Sequence, residues 1–189
     1  MRILNMKTIL LVSLAVVVVA FVCASCASSR SGYETARYDV MRADNAFEIR
    51  KYPGLKVAAT SNNTDNGSFM RLFRYIGGAN EKQEKLAMTT PVFMEAGEMR
   101  FVVPEKNKDA APKPASEKVE VKEMPARTVA VYRFSGRRSD RLENGALDTL
   151  RDWMKTNKLE PKSEPFFAYY DPPWTLGPFR RNEVLIPLK

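Results

Sequence analysis

An apolar stripe with two arginines beside it lies between residues 69 and 74. Phe69, Leu72 and Phe73 are spaced i, i+3 and i+4, so on a helix they share one face, and Arg71 and Arg74 lie one helical step away. A stripe of this kind usually packs into a core while the arginines stay in solvent. The alternative is a binding slot with an apolar floor and cations at its rim.

Three further side chains are candidates for ligand binding or catalysis. Met88 precedes Thr89-Thr90-Pro91 and either approaches a ligand through its polarizable sulfur or fills a gap in the core. Arg181 and Glu183 are two residues apart, so on a strand they share a face. They form either a surface ion pair, which contributes little to stability, or a catalytic pair.

The composition excludes several kinds of active site. The chain has no histidine, and Cys23 and Cys26 are its two cysteines. Histidine-based triads, the common zinc sites and a thiol nucleophile in the folded part are therefore excluded. No set of carboxylates, lysines or tyrosines forms a recognisable acid–base constellation, so the sequence favours a binding protein over an enzyme.

The N-terminus has the pattern of an export signal. Arg2 and Lys7 are the only charges before Arg30, and residues 8–22 form an apolar run. The segment Cys23-Ala24-Ser25-Cys26 resembles the lipobox of bacterial lipoproteins, which usually has Leu where Cys23 stands. We expect residues 1–26 to be a signal peptide and Cys26 to be lipidated, which places the protein at the cell envelope. Ordinary cleavage near Ala27 and an uncleaved anchor are the alternatives.

The rest of the chain has the size of one domain. We expect a polar tether at 27–37, a folded domain at 38–189 and a solvated loop at 106–118. Removing Arg2 and Lys7 from the 30 Lys and Arg leaves 28 basic side chains against 22 acidic ones. The surface is moderately basic but has no dense Lys/Arg run, so we expect no nucleic-acid partner.

The domain contains an internal repeat. Ile49–Ala58 matches Val121–Ala130, with Pro53 and Pro125 at the same place in each. The pattern predicts a strand, a proline-led turn and a second strand, followed in each half by a helix and two more strands. The four following strands are expected at about 89–95, 100–103, 166–170 and 183–187.

Apolar spacing predicts the two helices. The first should span Ser68–Ile76 with Ser68 as its N-cap, and the second should span Asp140–Asn157 with Ser139 as its N-cap. The buried stripe of the second helix is expected to contain Leu142, Ala146, Leu150, Trp153 and Met154. Each helix should cover part of a curled sheet, which gives an α+β domain.

Three stretches together resemble the SOUL haem-binding family: Phe69–Lys82, the segment Leu86-Ala87-Met88-Thr89-Thr90-Pro91-Val92, and Tyr169–Pro173 leading to Arg180–Val184. The resemblance covers about 38–189. It implies two βαββ-like repeats that form a distorted antiparallel barrel with two helices. It also implies non-covalent binding of haem or another porphyrin, as a ligand and not as a catalytic group, in an apolar groove beside the first helix.

The resemblance assigns the groove face to Phe69, Leu72 and Phe73, and the partner of a porphyrin carboxylate to Arg74. Two other basic family positions fall on Asn66 and near Leu176, so the chain departs from the family there. Arg71, Arg180 or Arg181 could substitute, while Met88, Tyr169, Tyr170 and Trp174 could wall the groove. Without histidine, only Met, Tyr or Lys could ligate iron, so apolar contact and carboxylate pairing should dominate.

Other functions stay open at this point. The leading expectation is buffering or transfer of a tetrapyrrole at the envelope, with a lipid as the membrane contact and no protein partner identified. Duplicated domains of the gyrase-inhibitor or effector-binding type have a similar architecture and bind varied small molecules. A tetrapyrrole-modifying enzyme and a purely structural lipoprotein are the remaining alternatives.

Overall fold

The computed structural model describes residues 32–62 and 65–189. Its elements in the first half are the strands β1 (Glu34–Thr35), β2 (Asp39–Asp44), β3 (Phe47–Tyr52) and β4 (Leu55–Ser61), the helix α1 (Asp65–Ile76), and the strands β5 (Thr89–Thr90), β6 (Val92–Glu95) and β7 (Glu98–Val102). The second half contains β8 (Glu120–Met124), β9 (Arg127–Phe134), α2 (Asp140–Thr156), β10 (Phe166–Tyr169) and β11 (Asn182–Pro187).

Nine of the described strands form one antiparallel sheet, in the order β2-β3-β9-β11-β10-β6-β7-β4-β8. The order is symmetric about the β10–β6 pair, because exchanging the two repeats maps β3-β9-β11-β10 onto β8-β4-β7-β6. The topology therefore supports an internal duplication, and the predicted α+β class is confirmed.

The proline-led turns do not form hairpins. β3 and β4 flank Pro53, yet β3 pairs with β9 while β4 pairs with β7 and β8. The strands beside Pro125 likewise separate, since β8 pairs with β4 and β9 pairs with β3 and β11. Each proline marks a corner where the chain passes between two parts of the curled sheet, and the two repeats pair with each other across these corners.

Strand alternation divides the core into an inner and an outer layer. The inner face of the curled sheet is filled by apolar side chains that include Tyr52, Phe93 and Phe166, all buried. The outer face carries both helices: α1 packs on β4 and β7, and α2 packs on β9 and β11. Because residues 33–189 contain every described strand pairing and all three core clusters, this segment has its own core.

The helix predictions hold with one correction at an N-terminus. α2 spans Asp140–Thr156, and Ser139 is its N-cap, accepting a hydrogen bond from the Leu142 amide. α1 begins at Asp65, three residues earlier than predicted. Ser68 is buried inside the helix, and its hydroxyl donates to the Ser61 carbonyl at 2.9 Å, so it ties α1 to β4 and is not a cap.

Two loop predictions need correction. Glu34 and Thr35, expected in the tether, pair with Thr89 and Thr90 as a short parallel ladder. The 106–118 loop is not fully solvated: the Tyr75 hydroxyl donates to the Pro112 carbonyl at 2.8 Å, which holds the loop against α1. Across the described residues, no helix has the length and apolarity needed to cross a membrane.

Candidate functional site

The inward face of α1 is core. Leu72 is fully buried, and Tyr75 and Ile76 are buried in the same cluster against β4 and β7. Leu72 was expected on the groove face, but the structure places it beneath the helix, where it stabilises packing and lies out of reach of a ligand on the surface.

The outward face of α1 carries exposed apolar groups. Phe69 and Phe73, one helical turn apart, have nearly parallel rings with centroids 6.0 Å apart. Phe69 also packs edge-on against Phe101 of β7, at 5.3 Å, so it is anchored to the sheet. Phe73 is 45% exposed and Met70 is 43% exposed. Together Phe69, Phe73 and Met70 form the α1 apolar surface.

Two arginines on α1 have different roles. Arg71 donates to the Thr60 hydroxyl at 2.9 Å and to the Ser61 carbonyl at 2.7 Å, so its guanidinium fastens the helix to β4. Arg74 is exposed, and its guanidinium makes no hydrogen bond or ion pair with any residue that the structure describes. Arg74 is therefore the cation beside the α1 apolar surface that is available for an acidic group.

The other predicted wall residues are dispersed. Met88 and Tyr169 are half-buried against the α1 cluster, and the Tyr169 hydroxyl hydrogen-bonds the Glu143 carboxylate at 2.7 Å. Burial, followed by that hydrogen bond, raises the pKa of Tyr169 well above its usual value. Tyr170 lies inside the barrel. Trp174 stands in the β10–β11 loop with 77% of its surface exposed.

Arg181 lies on the inner face of the sheet, opposite the face that carries α1. It donates to Glu183 at 2.7 Å, and its guanidinium stacks over the Tyr170 ring at 4.1 Å. Glu183 is fully buried and also accepts two hydrogen bonds from Arg50, at 2.7 and 2.9 Å. Arg181 and Glu183 therefore do not form a surface ion pair, because Glu183 is buried and also binds Arg50. Arg181 is engaged in the same network and does not lie beside α1 as a cation at the rim of a groove.

Arg50 also donates to the Glu48 carboxylate at 2.6 Å, so the network contains two guanidiniums and two carboxylates, and its charges balance. Burial alone would raise the pKa of Glu183, but the hydrogen bonds and charges of Arg50 and then Arg181 hold it below its ordinary value. The carboxylate is therefore ionised and already satisfied, which suits a structural role better than proton transfer. Beside it, Phe93 packs edge-on between Tyr52 and Phe166, with centroid separations of 6.2 and 5.8 Å.

The described residues contain no group of three side chains able to hold a metal ion.

Sequence inspection missed Met70, because its position falls outside the i, i+3, i+4 stripe. It also missed Arg50, whose partner lies 133 residues later. The alternation of β3, which places Arg50 on the same face as Tyr52, was the available signal.

Sequence comparison with known proteins identifies the family of this chain. The sequence model of the SOUL heme-binding protein family matches residues 33–187. Heme-binding protein 1 of Mus musculus is 26% identical over 162 residues, which cover 77% of this chain and 83% of the mouse protein. Heme-binding protein 2 of the same organism is 28% identical over 164 residues, which cover 77% and 80%.

Solved structures agree on the fold. The crystal structure of the EcmrR C-terminal domain superimposes with a TM-score of 0.56 at 17% identity, covering 80% of this chain and 98% of that one. A hydrolase from Listeria innocua gives a TM-score of 0.51 at 9% identity, covering 79% and 94%. These identities are low enough that the likeness concerns architecture alone. The match of the family model to residues 33–187 shows that the chain belongs to the SOUL heme-binding protein family.

Proposed function

We propose that this protein binds haem non-covalently at the α1 apolar surface and that it acts as a binding protein. Membership of a family named for haem binding, and two mouse relatives with the same designation, support the ligand class. The single observation that supports the place is the exposed Phe73 next to the unpaired Arg74 on the same helix.

The residues present suit such a ligand. A porphyrin is a flat apolar plate with carboxylates at one edge, so it needs apolar contact area and a cation. Phe69, Phe73 and Met70 supply the apolar area, and covering each half-exposed side chain contributes on the order of 1 kcal/mol. Arg74 would pair with one carboxylate. Arg71 serves less well, because its donors are already satisfied by β4.

The outer surface suits haem better than the barrel interior does. The interior is packed with aromatic side chains, and Glu183, the acidic group there, is neutralised by Arg50 and Arg181. An effector-binding domain that takes cations inside its barrel would need an open interior and a free carboxylate. In the described inner core, Tyr52, Phe93 and Phe166 are packed against one another and Glu183 is already paired, so the effector-binding alternative is disfavoured.

Iron contributes little to this binding in our proposal. A bound haem would supply an iron centre, but the chain has no histidine to ligate it. Iron-free protoporphyrin should therefore bind residues 32–189 with an affinity within about threefold of that for haemin. Both can be titrated by quenching of tyrosine and tryptophan fluorescence. A strong preference for haemin with a sharp Soret shift would contradict this proposal and indicate ligation by Met, Tyr or Lys.

We further propose that the protein is exported, that Cys26 is lipidated, and that the domain buffers or hands on its ligand at the cell envelope. Residues 1–31 lie outside the described part of the structure, so this rests on the charge pattern and the Cys23–Cys26 segment. Bacteria expressing the full chain should incorporate an alkyne-labelled fatty acid into the protein, and Cys26→Ala should abolish the label. Unchanged labelling in Cys26→Ala would exclude this anchor.

A further inference from the structure

A cleft of about 320 Å³ lies between the N-terminal half of α2 and the outer face of β9. Its walls include Tyr132 and Phe134 on the strand, and Arg141, Leu142, Gly145 and Thr149 on the helix. It belongs to the second repeat and is separate from the α1 apolar surface. Its volume is at the lower end of the range of about 300–1,000 Å³ typical of small-molecule sites.

The internal duplication explains why this space is open. When the buried Leu72 and Ile76 of α1 are aligned with the buried Leu150 and Met154 of α2, Arg71 is aligned with Thr149. In the first repeat Arg71 crosses to β4 and bonds Thr60. In the second repeat the Thr149 hydroxyl bonds only its own helix, at the Gly145 carbonyl, 2.7 Å away. At this position the wall of the α2 cleft therefore carries a short threonine side chain where α1 has an arginine that reaches the sheet.

Gly145 has no steric reason to be glycine. It lies in the interior of α2, where glycine weakens a helix relative to alanine. A Cβ built at this position meets no heavy atom within 4 Å, apart from its chain neighbours and the helix backbone. Helical side chains lean toward the preceding turn, so any larger residue at 145 would lie over Arg141 and Leu142. The glycine keeps the mouth of the cleft open.

The lining identifies the ligand class. The Tyr132 and Phe134 rings are nearly parallel, with centroids 6.3 Å apart, and form an aromatic strip along one wall. Arg141 is exposed, and its guanidinium makes no ion pair or hydrogen bond with the described residues. We propose that this α2 cleft binds small planar aromatic carboxylates, with the ring system against the aromatic strip and the carboxylate paired with Arg141.

The test is a titration of ¹⁵N-labelled residues 32–189 with 2-naphthoate, monitored through the amide chemical shifts. We expect saturable shifts at Phe134, Gly145, Ala146 and Thr149, with a dissociation constant of roughly 0.1–1 mM. The uncharged analogue 2-naphthylmethanol should bind at least about fivefold more weakly, and Arg141→Gln should weaken 2-naphthoate binding by a similar factor.

Two variants at one position give a matched comparison. Gly145→Leu should fill the cleft and weaken 2-naphthoate binding more than about tenfold, while melting no lower than the wild type because nothing crowds the position. Gly145→Ala should stay within about threefold of wild-type affinity. Absence of saturable shifts, shifts confined to α1, or wild-type binding by Gly145→Leu would each overturn the proposal. Haemin affinity should be unchanged in Gly145→Leu, so the haem proposal stands or falls separately.

Discussion

The guanidinium of Arg50 on β3 donates two hydrogen bonds to the carboxylate of Glu183 on β11, from Nη1 to Oε2 at 2.7 Å and from Nη2 to Oε1 at 2.9 Å. Both side chains are buried, and strand β9 lies between their strands in the sheet. Arg181, the residue just before β11, also donates to the Glu183 carboxylate. This contact joins the beginning of the first repeat to the end of the second, and it leaves the barrel interior without a free charge.

Glu183→Gln should strongly destabilise the protein. The substitution keeps the shape of the side chain but removes the charge that pairs with the partly buried Arg181, and it leaves the buried Arg50 with Glu48 as its remaining carboxylate partner. We expect the free energy of unfolding to fall by about 3–5 kcal/mol, measured by urea denaturation of residues 32–189. Glu160→Gln is the matched control, since Glu160 pairs with Lys189 at an exposed site and should change stability by less than about 0.5 kcal/mol. Equal effects of the two substitutions would show that the buried network is unimportant.

Acid should weaken the wild type through Glu183. The pKa of this group is lowered in the folded state relative to its ordinary value of 4.5. The folded protein therefore binds fewer protons, and the stability that Glu183 contributes is present above about pH 4.5 and is lost as the pH falls below it. Urea unfolding at pH 6 and pH 3 should show a larger drop for the wild type than for Glu183→Gln. Identical drops would mean that other carboxylates dominate acid unfolding.

Adjacent residues on α1 should separate stability from binding. Leu72→Ala should lower the free energy of unfolding by about 2–5 kcal/mol, because Leu72 is fully buried, while the folded fraction binds haemin normally. Phe73→Ala should cost less than about 1 kcal/mol of stability but weaken haemin binding several-fold. Thermal melts and haemin titrations of the two variants give the comparison. The reverse pattern would place the ligand beneath the helix.

We expect Arg74 to increase the affinity for porphyrins only by pairing with their carboxylates. Arg74→Gln is expected to weaken protoporphyrin binding by about 1–2 kcal/mol, roughly fivefold to thirtyfold. The dimethyl ester of protoporphyrin lacks the negative charges and should bind both proteins alike. Arg151→Gln, an exposed arginine on α2, serves as the control. If the ester and the free acid lose the same affinity in Arg74→Gln, the role of Arg74 is packing and not charge pairing.

The repeat and both helices could be predicted from the sequence because they depend on local patterns. Apolar spacing located α1 and α2, and Ser139 marked an N-terminus correctly, since a serine before an apolar periodic run is a local signal. Ser68 has the same local signal but bonds Ser61 on the preceding strand. That contact depends on how α1 crosses β4, which propensity does not specify.

Strand partners and site geometry depend on distant residues. Nothing near Pro53 indicates that β3 pairs with β9 and β4 with β8, because the paired residues are far apart in the sequence, from 61 residues for Ala59 and Glu120 to 85 for Phe47 and Tyr132. The same limit applies to the predicted site. Spacing grouped Leu72 with Phe73 and Arg71 with Arg74. When α1 packs on the sheet, Leu72 becomes buried and Arg71 hydrogen-bonds β4, whereas Phe73 and Arg74 stay exposed.

The most direct test of haem binding on α1 is a haemin titration of Phe73→Asp against Met41→Asp. Both substitutions place a carboxylate on an exposed apolar position, and Met41 lies on β2 at the far edge of the sheet, 63% exposed. We predict that Phe73→Asp weakens haemin binding at least about tenfold while Met41→Asp stays within about twofold of the wild type, with both proteins folded by circular dichroism. Wild-type affinity in Phe73→Asp would contradict the proposal that α1 carries the site.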